Sequence, residues 1–178
     1  MTYKQSIIAA MEWLGQQPDT LFIGQTVVHG GSFFATSLER VPMDKRWELP
    51  VAEEMQMGMS FGLGLEGYCV VSLYPRFDFI LLAMNQLINH IDKLPEMSDG
   101  KMKTRIIIRT AIGPKKPLDG GPQHSNDYGE ALSLMCRHVK VVRLGNWPAE
   151  ATLQAYKQAY HDDSVPATLF IEYGQLYQ

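Results

Sequence analysis

Five strand-length runs, each largely apolar and each separated from the next by a helical pattern, constrain this chain more than any other feature. They are Thr20-Leu21-Phe22-Ile23-Gly24, Tyr68-Cys69-Val70-Val71-Ser72-Leu73, Arg105-Ile106-Ile107-Ile108-Arg109, Val139-Lys140-Val141-Val142 and Ala167-Thr168-Leu169-Phe170-Ile171. A strand that alternates apolar with polar residues has one wet face, whereas a nearly continuous apolar run is buried on both. Between these runs the period changes to that of helices. Ile7, Ile8, Met11 and Leu14 share a helical face over about residues 3–16, closed by Pro18-Asp19. Further helices are expected from about 53 to 65, from Asp78 to Lys93, near 127–136 and over 148–160. Strands alternating with helices predict an α/β fold, a parallel sheet in three layers with helices on both faces. With no repeat, linker or low-complexity tract, residues 1–178 read as a single domain.

Composition narrows the function classes. A net charge of −3 and a pI near 5.9 provide no basic field for nucleic acid or an anionic membrane. No apolar run approaches the roughly 18 residues of a membrane helix; Phe77–Leu82 is short and interrupted by Asp78. The amino-terminal stretch lacks the pattern of a signal peptide. Cys69 and Cys136 lie far apart in apolar stretches, as buried free thiols do, so a cytoplasmic location is expected. Neither they nor the five histidines have metal-ligand spacing, and no metal site is expected in this chain.

Ligands of parallel sheets bind beyond the carboxyl ends of the strands. Attention therefore falls on the loops after Gly24, Leu73, Arg109 and Val142. The segment from Gly113 to Gln123 holds three Gly and three Pro, and a loop of that length in a compact domain is usually functional or disordered. The run Leu49-Pro50-Val51-Ala52-Glu53-Glu54-Met55-Gln56-Met57-Gly58-Met59-Ser60-Phe61-Gly62 opens a helix with two acids. On their own, Glu53 and Glu54 are ordinary first-turn acids, which a helix N-terminus favours.

The order of motifs changes that reading for Glu53. Pro50, Glu53, Gly58 and Gly62, then Asp78-Phe79 with Asn85-Gln86-Leu87-Ile88-Asn89, then Gly121-Pro122-Gln123-His124-Ser125, and finally Leu169–Tyr173 follow one another along the chain. This series resembles the pyrimidine-binding domain of thiamine diphosphate enzymes, specifically the beta subunits of the 2-oxoacid dehydrogenases and, more loosely, transketolase. The resemblance implies the fold of that domain, with thiamine diphosphate as cofactor and Glu53 as the carboxyl group that activates it. Phe79 would carry the pyrimidine ring, with Val51 and Met57 as apolar neighbours. His124 would be catalytic and face the substrate. His29 and Arg76 are weaker substrate candidates, and His90, His138 and His161 are read as structural.

The chemistry supports the assignment of Glu53. The cofactor's thiazolium carbon is a very weak acid, deprotonated by the cofactor's own aminopyrimidine once a carboxyl group hydrogen-bonds the opposite ring nitrogen. A dry pocket would raise that carboxyl's pKa enough to share a proton. Phe79 could instead be core packing, and His124, whose ordinary pKa near 6.5 suits proton transfer, could be a loop histidine without a role. Gly58, Gly62 and Gly64 each lower helix propensity by about 1 kcal/mol relative to Ala, so this helix is expected to pack closely on another backbone. In the resembling enzymes that contact lies between subunits.

Two departures bear on function. Gly24 is followed by Gln25, where the resembling enzymes usually have an acid that helps link paired active sites. The chain also lacks the Gly-Asp-Gly motif with a downstream Asn that holds magnesium and the diphosphate; Asp119-Gly120-Gly121 is not that motif. The resemblance therefore implies a split enzyme acting on a 2-oxoacid or ketose-like donor. A diphosphate-binding partner subunit would hold Mg2+, in an α2β2 hetero-oligomer. A non-catalytic regulatory or interaction module that kept the fold is the alternative. A flavodoxin-like nucleotide binder would need a Gly-rich loop after the first strand, which is missing.

Overall fold

The computed structural model describes all residues except 30, 31, 117, 118 and 178. The chain runs through α1 (Tyr3–Gly15), β1 (Thr20–Gly24), α2 (Phe33–Ser37), β2 (Arg46–Glu48), α3 (Glu53–Leu65), β3 (Cys69–Tyr74), α4 (Phe77–Ile80), α5 (Leu94–Met97), β4 (Arg105–Ile112), α6 (Gly129–Met135), β5 (Lys140–Arg143), α7 (Ala149–His161) and β6 (Ala167–Tyr173). All strand pairs are parallel, in the order β2-β1-β3-β4-β6-β5.

Alternation along the strands divides the core in two. Phe22, Val71, Leu73, Ile107 and Phe170 pack with α1, α2 and α7 on one face. Ile106, Ile108, Leu169 and Ile171 pack with Met57 of α3, Ile80 of α4 and Leu132 of α6 on the other. Ile106, Ile107 and Ile108 are all buried although they point to opposite faces, as expected of a sheet covered on both sides. The three-layer architecture is thus the expected one.

Three local features depart from expectation. β2 is a three-residue edge strand beside β1, and its half-exposed residues carry no apolar run that would announce it. α2 is a single short helix capped by the Ser32 hydroxyl, which accepts from the Ala35 amide. The long helix expected from Asp78 is not uniform. After α4 the backbone tightens into a 3-10 turn at Leu81–Ala83 and widens into a π-helix over Asn85–Ile91. The Asp92 amide closes that stretch by donating to the Leu87 carbonyl at 2.9 Å, a five-residue span.

From β1 the chain crosses outward to β2, then returns past β1 to β3. The direction of winding therefore reverses between β1 and β3, where Gly24 pairs with Leu73. Such a reversal opens a crevice at the carboxyl edge of the sheet. The loops after β1, β3 and β4 meet on that edge because these strands are neighbours, whereas the loop after Val142 lies at the far edge, beyond β6.

Candidate active site

Glu53 stands at the first position of α3, beside the reversal between β1 and β3. A buried polar seam fixes this helix end. Gln56 Nε2 donates to Ser72 Oγ at 3.0 Å and to the Leu73 carbonyl at 2.9 Å, and Ser60 Oγ lies 2.9 Å from Ser72 Oγ. A β-carbon at Gly24, where φ is +138°, would collide with the Leu73 carbonyl and lie 2.8 Å from Gln56 Nε2. Only glycine lets β1, β3 and α3 converge this closely.

Held in this way, the Glu53 side chain is only 5% exposed. Gln25 Nε2 donates to its Oε1 at 3.2 Å, and the Tyr74 hydroxyl donates to its backbone carbonyl at 3.4 Å. Gln25 thus meets the candidate carboxylate directly. An amide is a neutral donor, so it meets the carboxyl group without the like-charge repulsion that an acid at this position would introduce. Glu54 is exposed and its Oε1 accepts from Gln86. That agrees with reading it as an ordinary first-turn acid.

The loop after β1, described as far as His29, is organised by a residue that sequence reasoning passed over. The carboxylate of Glu48 accepts from the backbone amides of Thr26 (2.7 Å), Val27 (2.8 Å) and Val28 (2.7 Å), with His29 at 3.4 Å. Partial burial pushes its pKa up, but these amides outweigh burial and hold it below the usual carboxylate range. Thr26 adopts a left-handed backbone (φ 59°) within this cradle. His29 itself is exposed.

Phe79 and His124 meet edge to face, with ring centroids 5.7 Å apart at 83°. Both are half-buried. Two polar atoms here are buried without a hydrogen-bond partner among the described residues, His124 Nδ1 and Asp78 Oδ2. Asp78 Oδ1 accepts from Asn126 Nδ2 and, at 3.5 Å, from the Tyr128 hydroxyl, which ties the His124 loop to the start of α4. Part of the turn-rich 113–123 segment, residues 117 and 118, lies outside the described residues.

The expected residues do not all reach the surface. Met57 is fully buried in the core formed with Tyr74 and Phe77, so it backs the site and presents no atom to a ligand; this corrects its assignment as a cofactor contact. Val51, by contrast, is 78% exposed and is joined by Met55 and by Leu82 at 65%. Glu53, Glu54, Met55, Gly58, Leu82 and Gln86 line an open depression there. Of the α3 glycines, Gly64 packs on Thr104 and Ile106 within the chain, while a β-carbon at Gly58 or Gly62 would meet nothing within 4 Å.

The buried carboxyl group of Glu53 fits the pyrimidine end of thiamine diphosphate, as a partner for a ring nitrogen. The site does not fit the cofactor's metal, since no group of three His, Cys, Asp or Glu side chains among the described residues could hold an ion. None of the described helices is long and apolar enough to cross a membrane.

No protein-family profile matches the chain. In sequence it is similar to the pyruvate dehydrogenase E1 component subunit beta of Bacillus subtilis, 28% identical over 185 residues, covering 100% of this chain and 54% of that protein. The corresponding subunit of Gracilaria tenuistipitata is 34% identical over 167 residues, covering 91% of this chain and 49% of that one. The mitochondrial subunit of Caenorhabditis elegans is 29% identical, covering 99% and 49%. The chain thus spans about half the length of these relatives. In fold it is similar to a split gene transketolase solved as an inactive beta4 tetramer, with a TM-score of 0.72 at 17% identity, covering 97% of this chain and 51% of that one.

Proposed function

For a chain whose sequence relatives are beta subunits of the pyruvate dehydrogenase E1 component and whose fold is transketolase-like, we propose that residues 1–178 form the pyrimidine-binding domain of a split thiamine diphosphate-dependent enzyme. Its substrate is a 2-oxoacid or ketose-like donor, and its active site is shared with a diphosphate-binding partner subunit in an α2β2 assembly. Mg2+ and the diphosphate belong to the partner. The observation that carries this reading is the carboxyl of Glu53, buried at the reversal between β1 and β3 and held by one neutral donor. The two free thiols, Cys69 and Cys136, are in keeping with a reducing compartment such as the cytoplasm.

When bound, the cofactor supplies the carbon nucleophile. Glu53 would share a proton with a ring nitrogen of the bound pyrimidine, and Gln25 would hold the carboxyl group in place for that bond. Phe79 provides an edge of the ring platform, worth roughly 0.5–1.5 kcal/mol beyond burial. His124 Nδ1, without a hydrogen-bond partner among the described residues, would hold or pass a proton at the substrate. The exposed apolar residues Val51, Met55 and Leu82 beside Glu53 give the partner a dry contact that excludes water from the cofactor.

The test is proton exchange at the thiazolium carbon, followed by NMR in the assembled complex. Glu53→Gln should slow exchange by about 10²–10⁴-fold, the usual contribution of a positioned acid or base. Exchange at the wild-type rate would show that Glu53 is not the activating group. The isolated chain should bind the cofactor far more weakly than the complex does.

A further inference from the structure

Arg76 ends the loop after β3, immediately before α4, and its side chain is half-buried. The guanidinium lies over the Phe33 ring, 5.3 Å from its centroid. At Gly113, just past β4, a β-carbon would sit 3.2 Å from Arg76 Nε and would collide with the carbonyl of His124. Arg76 and His124 therefore converge on the same glycine, and His124 in turn touches Phe79.

The partners of Arg76 are few. Nη1 donates to the neighbouring Pro75 carbonyl at 2.9 Å. Among the described residues, no carboxylate lies within ion-pair distance of its guanidinium. Asp78 acts on it only at longer range, favouring the charged form, while burial lowers its pKa. Partly withdrawing five fixed donors from water with one neutral acceptor is unfavourable unless an anion completes the set.

We infer that Arg76 recognises the anionic group of the substrate, and that this group is the carboxylate adjoining the keto carbon of a small 2-oxoacid. This rests on the function proposed above. Arg76 shares its glycine with His124, beside the Phe79 ring, so its anion lies next to the reacting carbonyl. The phosphate of a phosphorylated sugar would lie several carbons away. The planar fork of arginine matches a carboxylate with two parallel hydrogen bonds, which lysine cannot reproduce.

The experiment uses the full chain assembled with its partner, thiamine diphosphate and Mg2+. The probes are pyruvate, 2-oxobutyrate and 2-oxoisovalerate, with pyruvamide as a neutral analogue acting as substrate or competitive inhibitor, and a ketose phosphate. Arg76→Gln should raise the KM of the preferred 2-oxoacid about 10–100-fold, the range of a charge-assisted hydrogen bond. The constant for pyruvamide and the affinity for the cofactor should stay unchanged, and Arg76→Lys should recover part of the loss. Equal losses for the acid and the amide would overturn the inference, as would a response confined to the ketose phosphate or no binding of any 2-oxoacid. If the wild-type complex fails to bind thiamine diphosphate, the proposed function falls and this inference with it. If cofactor binding persists in Arg76→Gln and the 2-oxoacid KM does not move, only the inference falls.

Discussion

Glu48 and Glu53 lie five positions apart yet do opposite work. Glu48 is saturated by backbone amides, whereas among the described residues the Glu53 carboxylate accepts a single long hydrogen bond, from Gln25. The first is a structural anchor and the second remains available. Because the folded Glu48 has a depressed pKa, its stabilising contribution is full above its unfolded pKa and is lost as pH falls through the folded one. Glu48→Gln should therefore speed amide exchange at Thr26–His29 at neutral pH, measured by hydrogen exchange. The difference from wild type should shrink in acid, where the native carboxylate is itself protonated. Glu53 stood out as a candidate in the sequence because Pro50, Gly58 and Gly62 frame it. Glu48 and the bond from Gln25 to Glu53 were not foreseen, since these pairings span 19 to 28 residues and no local pattern announces them.

Helix α3 joins two kinds of packing in one element. Its inner side is a seam of Gln56 and Ser60 against Ser72, and its outer side leaves Gly58 and Gly62 open. Gly58→Ala and Gly62→Ala should each stabilise the isolated chain by up to about 1 kcal/mol, through helix propensity. Both should weaken association with the partner, as read by thermal melts of the chain and by sedimentation of the mixture. Gly64→Ala should gain less, because its β-carbon would lie 3.1 Å from Thr104 Cβ and force that neighbour to move. Good helix formers as far as Leu65 gave α3 its bounds, and the apolar period carried the expected helix after β3. It concealed the change to 3-10 and π geometry between Leu81 and Ile91, because both keep apolar residues facing the sheet. β2 escaped notice because a half-exposed edge strand of three residues has no period to read.

Across the molecule, Arg109 of β4 ties distant parts together beneath the site. Its Nε donates to Glu172 Oε1 at 2.7 Å and its Nη2 to Oε2 at 3.0 Å, with Ser37 and the Tyr177 hydroxyl beside it. Tyr156 of α7 also donates to Glu172, at 2.6 Å. Both charged side chains have no exposed surface. Removing one member leaves the other buried and unpaired, so Arg109→Ala should cost about 3–5 kcal/mol in chemical denaturation. The sequence marked Arg109 and Glu172 only as strand ends, because a pairing across 63 residues depends on β4 and β6 being neighbours. The layer architecture was legible from the apolar runs, but strand order was not.

That order has a consequence for how the chain is made. β6 is inserted between β4 and β5, so β5 has no partner strand until the last strand arrives. A ribosome releasing this chain exposes the edges of β4 and β5 while residues 144–166 are still emerging, and pairing across such sequence separations is slow. The sheet is closed by a keystone placed last. A chain ending at residue 166 should fail to give a cooperative melt, and productive assembly with a partner should begin only after synthesis has passed β6.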